Sequence, residues 1–434
     1  MNNVVSEFDG AFWEAANRHM LRYGGHGGEF IDFVPERAQG VWLYDRAGRK
    51  MLDFTSGQMS SILGHSHPEV VETLREAAGN LDHLYSFMLS KPAVDLAVAL
   101  AELVPELPRV MLLSTGSESN DAALRIAKMV TGKWEVAGFA QSWHGNTGTS
   151  AASSYAAARR GQGPLTPGNY AIPAPNSFKP RFPGVTWQQE LDDSFDLLDR
   201  QSTGNLAAFI AEPILSAGGI LELPIGYLAA LKAHCQRRGM LLILDEAQTG
   251  LGRLGDMFGF DRDKTAPDIL TLSKTLGAGM ALSAVMTSDE TAAAAEERGF
   301  FFTTTHVNDP LTASVGNKVV EIVRRDSLDQ RARVLGGRLK AGLQNFMQRY
   351  QCIADVRGRG LLLGMQFVEY NGNSAAVMSE RVIRTATKLG LLANNSGASL
   401  SGGIMRIAPP LTSTDEEIDA GIDILNAALK EVCE

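Results

Sequence analysis

Two short apolar runs, each followed by an ionisable side chain, constrain the fold of this chain more than any other feature. The first is Leu-Leu-Ile-Leu at residues 241–244, which Asp245 follows. The second is Ile-Leu-Thr-Leu at residues 269–272, which Ser273 and Lys274 follow. Apolar runs of this length, bounded by polar and glycine positions, are typical of buried parallel strands. Because open α/β sheets bind ligands beyond the carboxyl ends of their strands, we expect Asp245 and Lys274 at one edge of a sheet.

A carboxylate and a lysine at two strand ends are the groups that a pyridoxal phosphate (PLP) site requires. Lys274 would form the Schiff base with the cofactor. Asp245 would keep the pyridine nitrogen protonated, so that the ring can accept the electrons of a carbanion. Either residue alone is also compatible with an ordinary polar end of a strand. Further segments at strand ends favour the cofactor site.

The composition favours a protein with a large core and small-molecule ligands. The chain has 434 residues and a net charge of −9, with acidic and basic residues mixed along it. No basic stripe with interleaved aromatic residues occurs, which argues against nucleic acid as a partner. We expect a cytoplasmic protein without membrane contact, since neither a long apolar run nor a cationic leader is found. The three cysteines, Cys235, Cys352 and Cys433, are too few and too scattered for a disulfide framework or a zinc site.

Strand-like runs alternate with helical patterns between about residues 69 and 309, which indicates a βαβ sheet. Strands are expected at 110–113, 136–140, 208–211 and 360–367, helices at 118–130 and after Thr412, a hairpin at 44–49 and a long loop at 161–184. We therefore predict an α/β fold with two domains. The large domain (66–310) surrounds a mostly parallel central sheet, and a smaller α+β domain is built from both chain ends (1–65 and 311–434).

Two segments that follow strands extend the predicted cofactor site. Thr115, Gly116 and Ser117 open a helix, where free backbone N–H groups and hydroxyls can hold a phosphate. Trp143 follows the next strand and can lay its aromatic face over the pyridine ring. Gln248 lies three residues after Asp245, within reach of the ring's phenolic oxygen if the chain turns there. Small residues at 275–279 would let a bulky cofactor approach the backbone beside the lysine.

At this level of detail the chain resembles the class III aminotransferases of the fold type I PLP family, and within it the 2,2-dialkylglycine decarboxylase branch. The resemblance runs over nearly the whole chain. The segments that carry it are LDFTSGQMS (52–60), LGHSHP (63–68), LLSTG (112–116), AQSWHG (140–145), AEPILS (211–216), DEAQTG (245–250), TLSKTLGAG (271–279), TTHV (304–307) and RIAPPL (406–411).

The resemblance implies a role for each predicted cofactor residue. Lys274 would be the Schiff-base lysine and proton shuttle, and Asp245 the partner of the pyridinium. Trp143 would stack on the ring and Gln248 would contact the phenolic oxygen, while residues 115–117 would hold the phosphate. Thr305 would reach the phosphate of the other subunit, which implies a homodimer or a dimer of dimers with shared active sites.

Two further residues concern the substrate. By resemblance, Arg406 would hold a substrate carboxylate through a charge-assisted contact. Gln58 would donate to a carboxylate held above the ring plane, which favours CO2 loss over proton loss because the breaking bond is perpendicular to the conjugated system. Ordinary class III aminotransferases usually have an apolar residue at this position. Gln58 thus separates the two branches, although a glutamine that only orders its own loop is the alternative.

Several positions depart from the decarboxylase pattern, and all of them concern the substrate. Ala217 replaces a serine that would bind the carboxylate, and the loss of one neutral hydrogen bond is worth about 1 kcal/mol. Asn146 replaces a methionine, and residues 394–403 match poorly. The resemblance also implies a structural K⁺ or Na⁺ near the subunit interface. Its predicted ligands are the side chains of Ser86, Thr305 and Asp309 and the backbone oxygens of Leu84 and Val307.

The leading expectation is a decarboxylating transaminase. It would convert a 2,2-disubstituted amino acid to a ketone and CO2, and then pass the amino group to pyruvate or another 2-keto acid. A non-decarboxylating ω-aminotransferase and an amino-acid racemase or epimerase on the same scaffold are the alternatives. A regulatory protein that only binds the cofactor is disfavoured, because no DNA-binding segment accompanies the fold.

Overall fold

The computed structural model describes residues 7–23, 30–156, 159, 163–396 and 402–434. Part of the poorly matching segment, residues 397–401, therefore lies outside the described residues. The described helices are α1 Glu7–His19, α2 Ser56–Met59, α3 Pro68–Asn80, α4 Lys91–Leu103, α5 Gly116–Thr131, α6 Gly148–Ala152, α7 Trp187–Gln201, α8 Tyr227–Arg237, α9 Asp289–Glu297, α10 Pro310–Arg325, α11 Leu328–Arg349, α12 Ala375–Lys388 and α13 Asp415–Cys433. None of these helices combines the length and apolar character needed to cross a membrane.

The strands form two four-stranded sheets, one seven-stranded sheet and one short ribbon within the described residues. Their bounds are β1 Pro35–Gln39, β2 Trp42–Asp45, β3 Lys50–Asp53, β4 Arg109–Leu113, β5 Glu135–Phe139, β6 Asn169–Ile172, β7 Leu206–Ala211, β8 Ile214–Leu215, β9 Leu221–Glu222, β10 Leu241–Asp245, β11 Ile269–Leu272, β12 Ser283–Thr287, β13 Ile353–Arg359, β14 Leu362–Phe367, β15 Leu391–Leu392, β16 Asn394–Asn395 and β17 Ile404–Ile407.

The seven-stranded sheet has the order β4-β12-β11-β10-β7-β5-β6. Pairing is parallel from β11 to β6, and only β12 runs against its neighbours β11 and β4. Every residue of β7 and of β11 is buried, as expected for strands that helices cover on both faces. The predicted α/β fold with a mostly parallel central sheet is confirmed, and β10 and β11 are adjacent.

The smaller sheets bring the two ends of the chain together. The predicted hairpin is present as β2 and β3, and β3 also pairs in parallel with β15, with Leu52 opposite Leu391. A second sheet, β13-β14-β17-β16, consists of C-terminal strands and carries Arg406 on β17. The residue at which one domain ends and the other begins stays a prediction.

One part of the chain differs from its predicted structure. The segment 161–184 was expected to be a loop throughout, but Asn169–Ile172 forms β6, which pairs in parallel with β5 at the edge of the central sheet. The strand is only four residues long and lies among glycines, prolines and asparagines. Its apolar pattern is therefore too short to be identified as a strand from periodicity. Backbone pairing with β5 stabilises the strand, although its own sequence shows little strand preference.

Candidate active site

Asp245 ends β10 as a buried carboxylate, 4% exposed, with three hydrogen bonds. Its Oδ2 accepts from Nδ2 of Asn120 (2.8 Å) and from Nδ1 of His144 (2.9 Å), and its Oδ1 accepts from the backbone N–H of Ala247 (3.1 Å). Burial alone would raise the pKa of Asp245, but the hydrogen bond and charge of His144, the charge of Lys274 and the Asn120 amide together lower it. The site therefore contains a fixed, ionised carboxylate.

Asn120 on α5 is a positioning residue that the sequence analysis missed. Its Nδ2 donates both to Asp245 and to the backbone carbonyl of His144 (2.7 Å), and its Oδ1 accepts from the Thr271 hydroxyl (2.7 Å). The side chain is 1% exposed. An asparagine inside a helix costs helix propensity, which is the signal that could have indicated a role for Asn120. It joins α5, β10 and β11 at the point where the ionisable side chains meet.

Lys274 follows β11 and begins a 3₁₀ turn, Lys274–Gly277. Its backbone carbonyl accepts from the Ser60 hydroxyl (3.1 Å), which also accepts from the Gly279 N–H (3.2 Å). Burial lowers the pKa of the Lys274 ammonium, and the nearby carboxylates of Asp245 and Glu212 oppose this shift. A lowered pKa increases the fraction of Lys274 that is a neutral, nucleophilic amine near neutral pH.

The amino terminus of α5 lies beside Asp245 and Lys274. The Thr115 hydroxyl accepts from the Glu118 N–H (3.2 Å), and the Glu118 carboxylate accepts from the Thr115 N–H (3.0 Å), so the two residues form a capping box. The N–H groups of Gly116 and Ser117 stand in the first turn, where a helix leaves its donors without intrahelical partners. A Cβ at Gly116 would come within 2.8 Å of the Ser273 hydroxyl, so a larger residue there would displace this hydroxyl.

These groups line one cavity of about 390 Å³. Of the predicted cofactor residues, those that line it are Thr115, Gly116, Ser117, Trp143, Asp245 and Lys274. The donor set suits PLP, because it has a primary amine for the aldehyde, a buried carboxylate for a pyridinium and a helix terminus for a phosphate. The sequence analysis predicted this combination, and the fold brings it together.

Gln248 and Thr305 do not line this cavity. The Gln248 carbonyl oxygen accepts from the Ser216 hydroxyl (2.9 Å) and from Nη1 of Arg406 (3.1 Å), so it faces the arginine. Thr305 is exposed. The contact of Gln248 with a phenolic oxygen and the role of Thr305 at a second subunit stay predictions.

Arg406 lies at the centre of a polar cluster beside the cavity. The guanidinium is 6% exposed. It donates to the side-chain oxygens of Asn394 (3.2 Å), Ser216 (3.3 Å), Gln248 (3.1 Å) and Gln58 (3.5 Å). Burial lowers its pKa to about 10, so Arg406 remains protonated at neutral pH. These four partners, all among the described residues, are neutral, and a guanidinium with neutral partners can still donate to a carboxylate.

Gln58 is held on an unusual turn. Four consecutive residues, 56–59, have φ between 48° and 74°, and only one of them, Gly57, tolerates this left-handed region without strain. The buried Asp53 carboxylate fixes the turn by accepting from the N–H of Gly57 (2.7 Å) and from the N–H and hydroxyl of Thr55 (2.8 and 2.5 Å). Strain of this kind persists where the surroundings impose it, often at functional sites.

The same carboxylate also contacts His65. His65 Nε2 lies 2.8 Å from Oδ2 of Asp53. Burial alone would raise the pKa of Asp53, but hydrogen bonds from His65, Thr55 and Gly57 lower it. Asp53 therefore remains ionised while it holds the Gln58 turn.

Glu212 is a second residue whose role the sequence analysis missed, although its motif was recognised. Its carboxylate accepts from the backbone N–H groups of Trp143 (3.0 Å) and Ser216 (3.2 Å). Burial raises the pKa of Glu212 to about 7, and the neighbouring Asp245 adds to the shift while His144 opposes it. Its charge in turn acts on Lys274 and Arg406. A carboxyl whose pKa is near neutral thus acts electrostatically on both cationic groups.

The predicted alkali-cation ligands lie in the loops before α4 and α10. The Asp309 carboxylate accepts from Nδ1 of His306 (2.6 Å) and lies 3.3 Å from Nδ1 of His83. The Ser86 hydroxyl donates to the backbone carbonyl of Thr304 (3.0 Å). The sequence analysis did not anticipate the two histidines beside Asp309. The cation site, including the backbone oxygens of Leu84 and Val307, stays a prediction.

Comparison with known proteins settles the family. The sequence profile of "Aminotransferase class-III" matches residues 23–429. The chain belongs to this family. It is 48% identical over 432 residues to an uncharacterized aminotransferase of Schizosaccharomyces pombe, covering 96% of this chain and 94% of that protein. It is 29% identical over 421 residues to an alanine/serine racemase of Pyrococcus horikoshii, covering 94% of this chain and 88% of that protein.

A solved structure of an amine transaminase from an uncultivated Pseudomonas species, in its PLP-bound form, superposes with a TM-score of 0.87 at 26% identity. The superposition covers 95% of this chain and 98% of that one. The protein is therefore a PLP-dependent aminotransferase of fold type I, and its substrates are amino acids and keto acids. When bound, PLP supplies an electron sink for a bond that breaks at the substrate's α-carbon. The chain brings the amine of Lys274, the carboxylate of Asp245 and the guanidinium of Arg406 to this part of the fold.

Proposed function

We propose that this aminotransferase is a decarboxylating transaminase for 2,2-dialkylglycine-type amino acids. It releases CO2 and a ketone from the amino acid and then passes the amino group to pyruvate or another 2-keto acid. The observation that carries the proposal is the position of the Gln58 amide beside the Arg406 guanidinium, 3.5 Å away, on a strained turn that Asp53 holds.

The proposal rests on how two neighbouring groups can orient one substrate. Arg406 supplies the positive charge that binds the substrate carboxylate. The Gln58 amide can donate to a carboxylate that is tilted out of the plane of the conjugated ring. The bond that lies perpendicular to this plane breaks most readily, because its electrons then pass into the ring system. A donor that holds the carboxylate there favours loss of CO2. The rigidity of the turn that carries Gln58 matters, because displacement of a positioning group by about 1 Å can lower the reaction rate roughly a hundredfold.

A steady-state substrate panel tests this proposal. The holoenzyme is supplied with pyruvate and, in separate reactions, with 2-aminoisobutyrate or a terminal amine such as 5-aminovalerate, and CO2, ketone and alanine are measured. We expect CO2 and acetone in equal amounts from 2-aminoisobutyrate. Turnover of the terminal amine without any release of CO2 from 2-aminoisobutyrate would refute the decarboxylase and leave the plain aminotransferase.

The second candidate is a non-decarboxylating ω-aminotransferase, and the third is a racemase or epimerase. Ala217 favours these alternatives, because the position lacks the hydroxyl that would give the carboxylate one more donor. The names of the relatives also favour them, since these include an amine transaminase and an alanine/serine racemase. Measuring the optical rotation of L-alanine with holoenzyme in the absence of keto acid separates the racemase from both transaminases.

We further infer a shared active site in a homodimer or a dimer of dimers. The support is that Thr305 is exposed and lies outside the cavity of its own chain. We also infer that K⁺ or Na⁺ binds near Ser86 and Asp309. Exchange of K⁺ for a large organic cation should lower activity, and K⁺ should restore it. Full activity in a demonstrated monomer would refute the shared site, and indifference to the cation would refute the ion site.

A further inference from the structure

Two of the three cysteines meet in the fold although 81 positions separate them. The Sγ atoms of Cys352 and Cys433 are 3.1 Å apart. Cys352 is fully buried, just before β13, and Cys433 is partly exposed as the last residue of α13. Two thiols in direct contact need only a short further approach to reach the S–S bond length of about 2.05 Å. The third cysteine, Cys235, is fully buried on α8 and is not part of this contact.

Hydrogen bonds hold the segment of Cys352 against α13, which carries Cys433. The Tyr350 hydroxyl donates to Oδ1 of Asn426 (2.9 Å) on α13. Asn426 and Cys433 are seven residues apart, which is two helical turns, so they lie on the same face of α13. That face therefore meets residues 350–352 at two points. The backbone of Cys352 is anchored as well, because its carbonyl accepts from the Val368 N–H (2.9 Å).

We propose that Cys352 and Cys433 form a reversible intrachain disulfide when the protein meets a small disulfide oxidant such as oxidised glutathione. The bond fastens the end of α13 to the sheet that carries Arg406. It closes a loop that includes β14, α12 and β17, and thereby lowers the conformational entropy of the unfolded chain. No activity of the enzyme assigns a role to either thiol, so the proposal does not depend on the identity of the substrate.

The exchange proceeds in two steps that balance. The Cys433 thiolate attacks one sulfur of oxidised glutathione and forms a mixed disulfide, and one glutathione thiolate leaves. The Cys352 thiol then loses its proton to water and attacks the Cys433 sulfur, and the second glutathione leaves. Two protein thiols are oxidised and one glutathione disulfide is reduced to two glutathione molecules. Burial and the neighbouring Cys433 raise the pKa of Cys352, so the more exposed Cys433 is the thiol that reacts first.

Disulfide formation is measured on the holoenzyme by intact mass and by peptide mapping under alkylating conditions. After incubation with oxidised glutathione, we expect the wild type to lose the mass of two hydrogen atoms and to yield one cross-linked peptide pair, 352 with 433. Cys235 should stay reduced in the same sample, because it is buried and is not part of the contact between the other two cysteines, and it serves as the internal control. Dithiothreitol should reverse the change.

Two variants show whether the bond also has a structural effect. The oxidised wild type should unfold at a temperature roughly 3–8 °C higher than the reduced wild type. Cys433→Ser, which changes a partly exposed residue at a helix end, should show no such rise on oxidation. Cys352→Ala, which removes the buried thiol of the pair, should likewise show no rise in unfolding temperature on oxidation.

Several results would overturn the proposal. One is a persistent glutathione adduct on Cys433 while Cys352 remains free. Others are cross-linking of two chains through Cys433, or no reaction at either thiol while a small reference dithiol is oxidised under the same conditions. A disulfide without any rise in unfolding temperature would refute the fastening role.

Discussion

The guanidinium of Arg406 lies 3.5 Å from the side-chain oxygen of Gln58, although 348 positions separate the two residues. Arg406 is on β17, and Gln58 follows β3 on the strained turn. The fold thus places a cation and a neutral amide, one from each end of the chain, at a single point beside the cavity. In the proposed reaction these two groups act on one substrate carboxylate.

Arg406→Ala should impair reactions in which the carboxylate relies on the cation alone. A charge-assisted contact is worth about 1.5–3 kcal/mol, so kcat/KM for L-alanine should fall roughly tenfold to a hundredfold. Release of CO2 from 2-aminoisobutyrate should fall less, because Gln58 still holds that carboxylate. Half-reactions of the variant with both amino acids, followed by cofactor absorbance, measure the difference. Equal losses for the two substrates would show that Arg406 does not discriminate between them.

Lys274 should be the residue that holds the cofactor covalently. The purified enzyme should be yellow, and borohydride should fix the cofactor on a peptide that contains residue 274. Lys274→Ala should lose turnover but still bind cofactor through Asp245 and the start of α5. Lys264→Ala, on the loop between β10 and β11, is a matched control that should behave like wild type. Recovery of the reduced cofactor on another lysine would invalidate the assignment.

Glu212 should make the binding of keto acids depend on pH. Its raised pKa of about 7 means that it is largely neutral below this pH and ionised above it. An ionised Glu212 partly cancels the charge of Arg406, so KM for pyruvate should rise with pH through about 7, by roughly fivefold if the interaction is about 1 kcal/mol. Glu212→Gln should flatten this profile. The same pH dependence in the variant would assign it to another group.

Asp53 should stabilise the fold only where it is ionised. Its pKa is lowered in the folded protein, so its contribution is present above the ordinary aspartate value of 3.8 and is lost as pH falls through the lower, folded-state value. Asp53→Ala should reduce the free energy of unfolding by about 1.5–3 kcal/mol at neutral pH, and the deficit should shrink on acidification. Urea unfolding at several pH values measures it. Asp193→Ala, an exposed position on α7, is the control and should change little.

The parts of the site that lie at strand ends could be predicted from the sequence. The runs that became β10 and β11 are short and mostly apolar, and Asp245 and Lys274 stand at or just after their ends, so their length and polar boundaries located them. The helix that begins at Gly116 was recognisable because apolar residues recur at helical spacing within residues 118–130. The family followed from motifs distributed along nearly the whole chain.

The residues that support the site could not be predicted in this way. Asn120, Glu212 and Asp53 act through contacts with residues that are distant in sequence or held in unusual backbone conformations. The 56–59 turn is an example, since three of its four residues disfavour positive φ and contacts within the fold, including those of Asp53, impose it. The contact between Cys352 and Cys433 likewise depends on how α13 packs against α11 and α12.

The most direct test of the account is the effect of Gln58 on the fate of 2-aminoisobutyrate in a single turnover without keto acid. Wild-type holoenzyme should release one CO2 and one acetone per active site. Gln58→Ala should release CO2 roughly tenfold to a hundredfold more slowly, because it loses a donor worth about 1.5–3 kcal/mol, while the half-reaction with L-alanine should suffer less. The account is contradicted if wild type releases no CO2 yet rapidly transaminates terminal amines, or if Gln58→Ala slows both half-reactions equally.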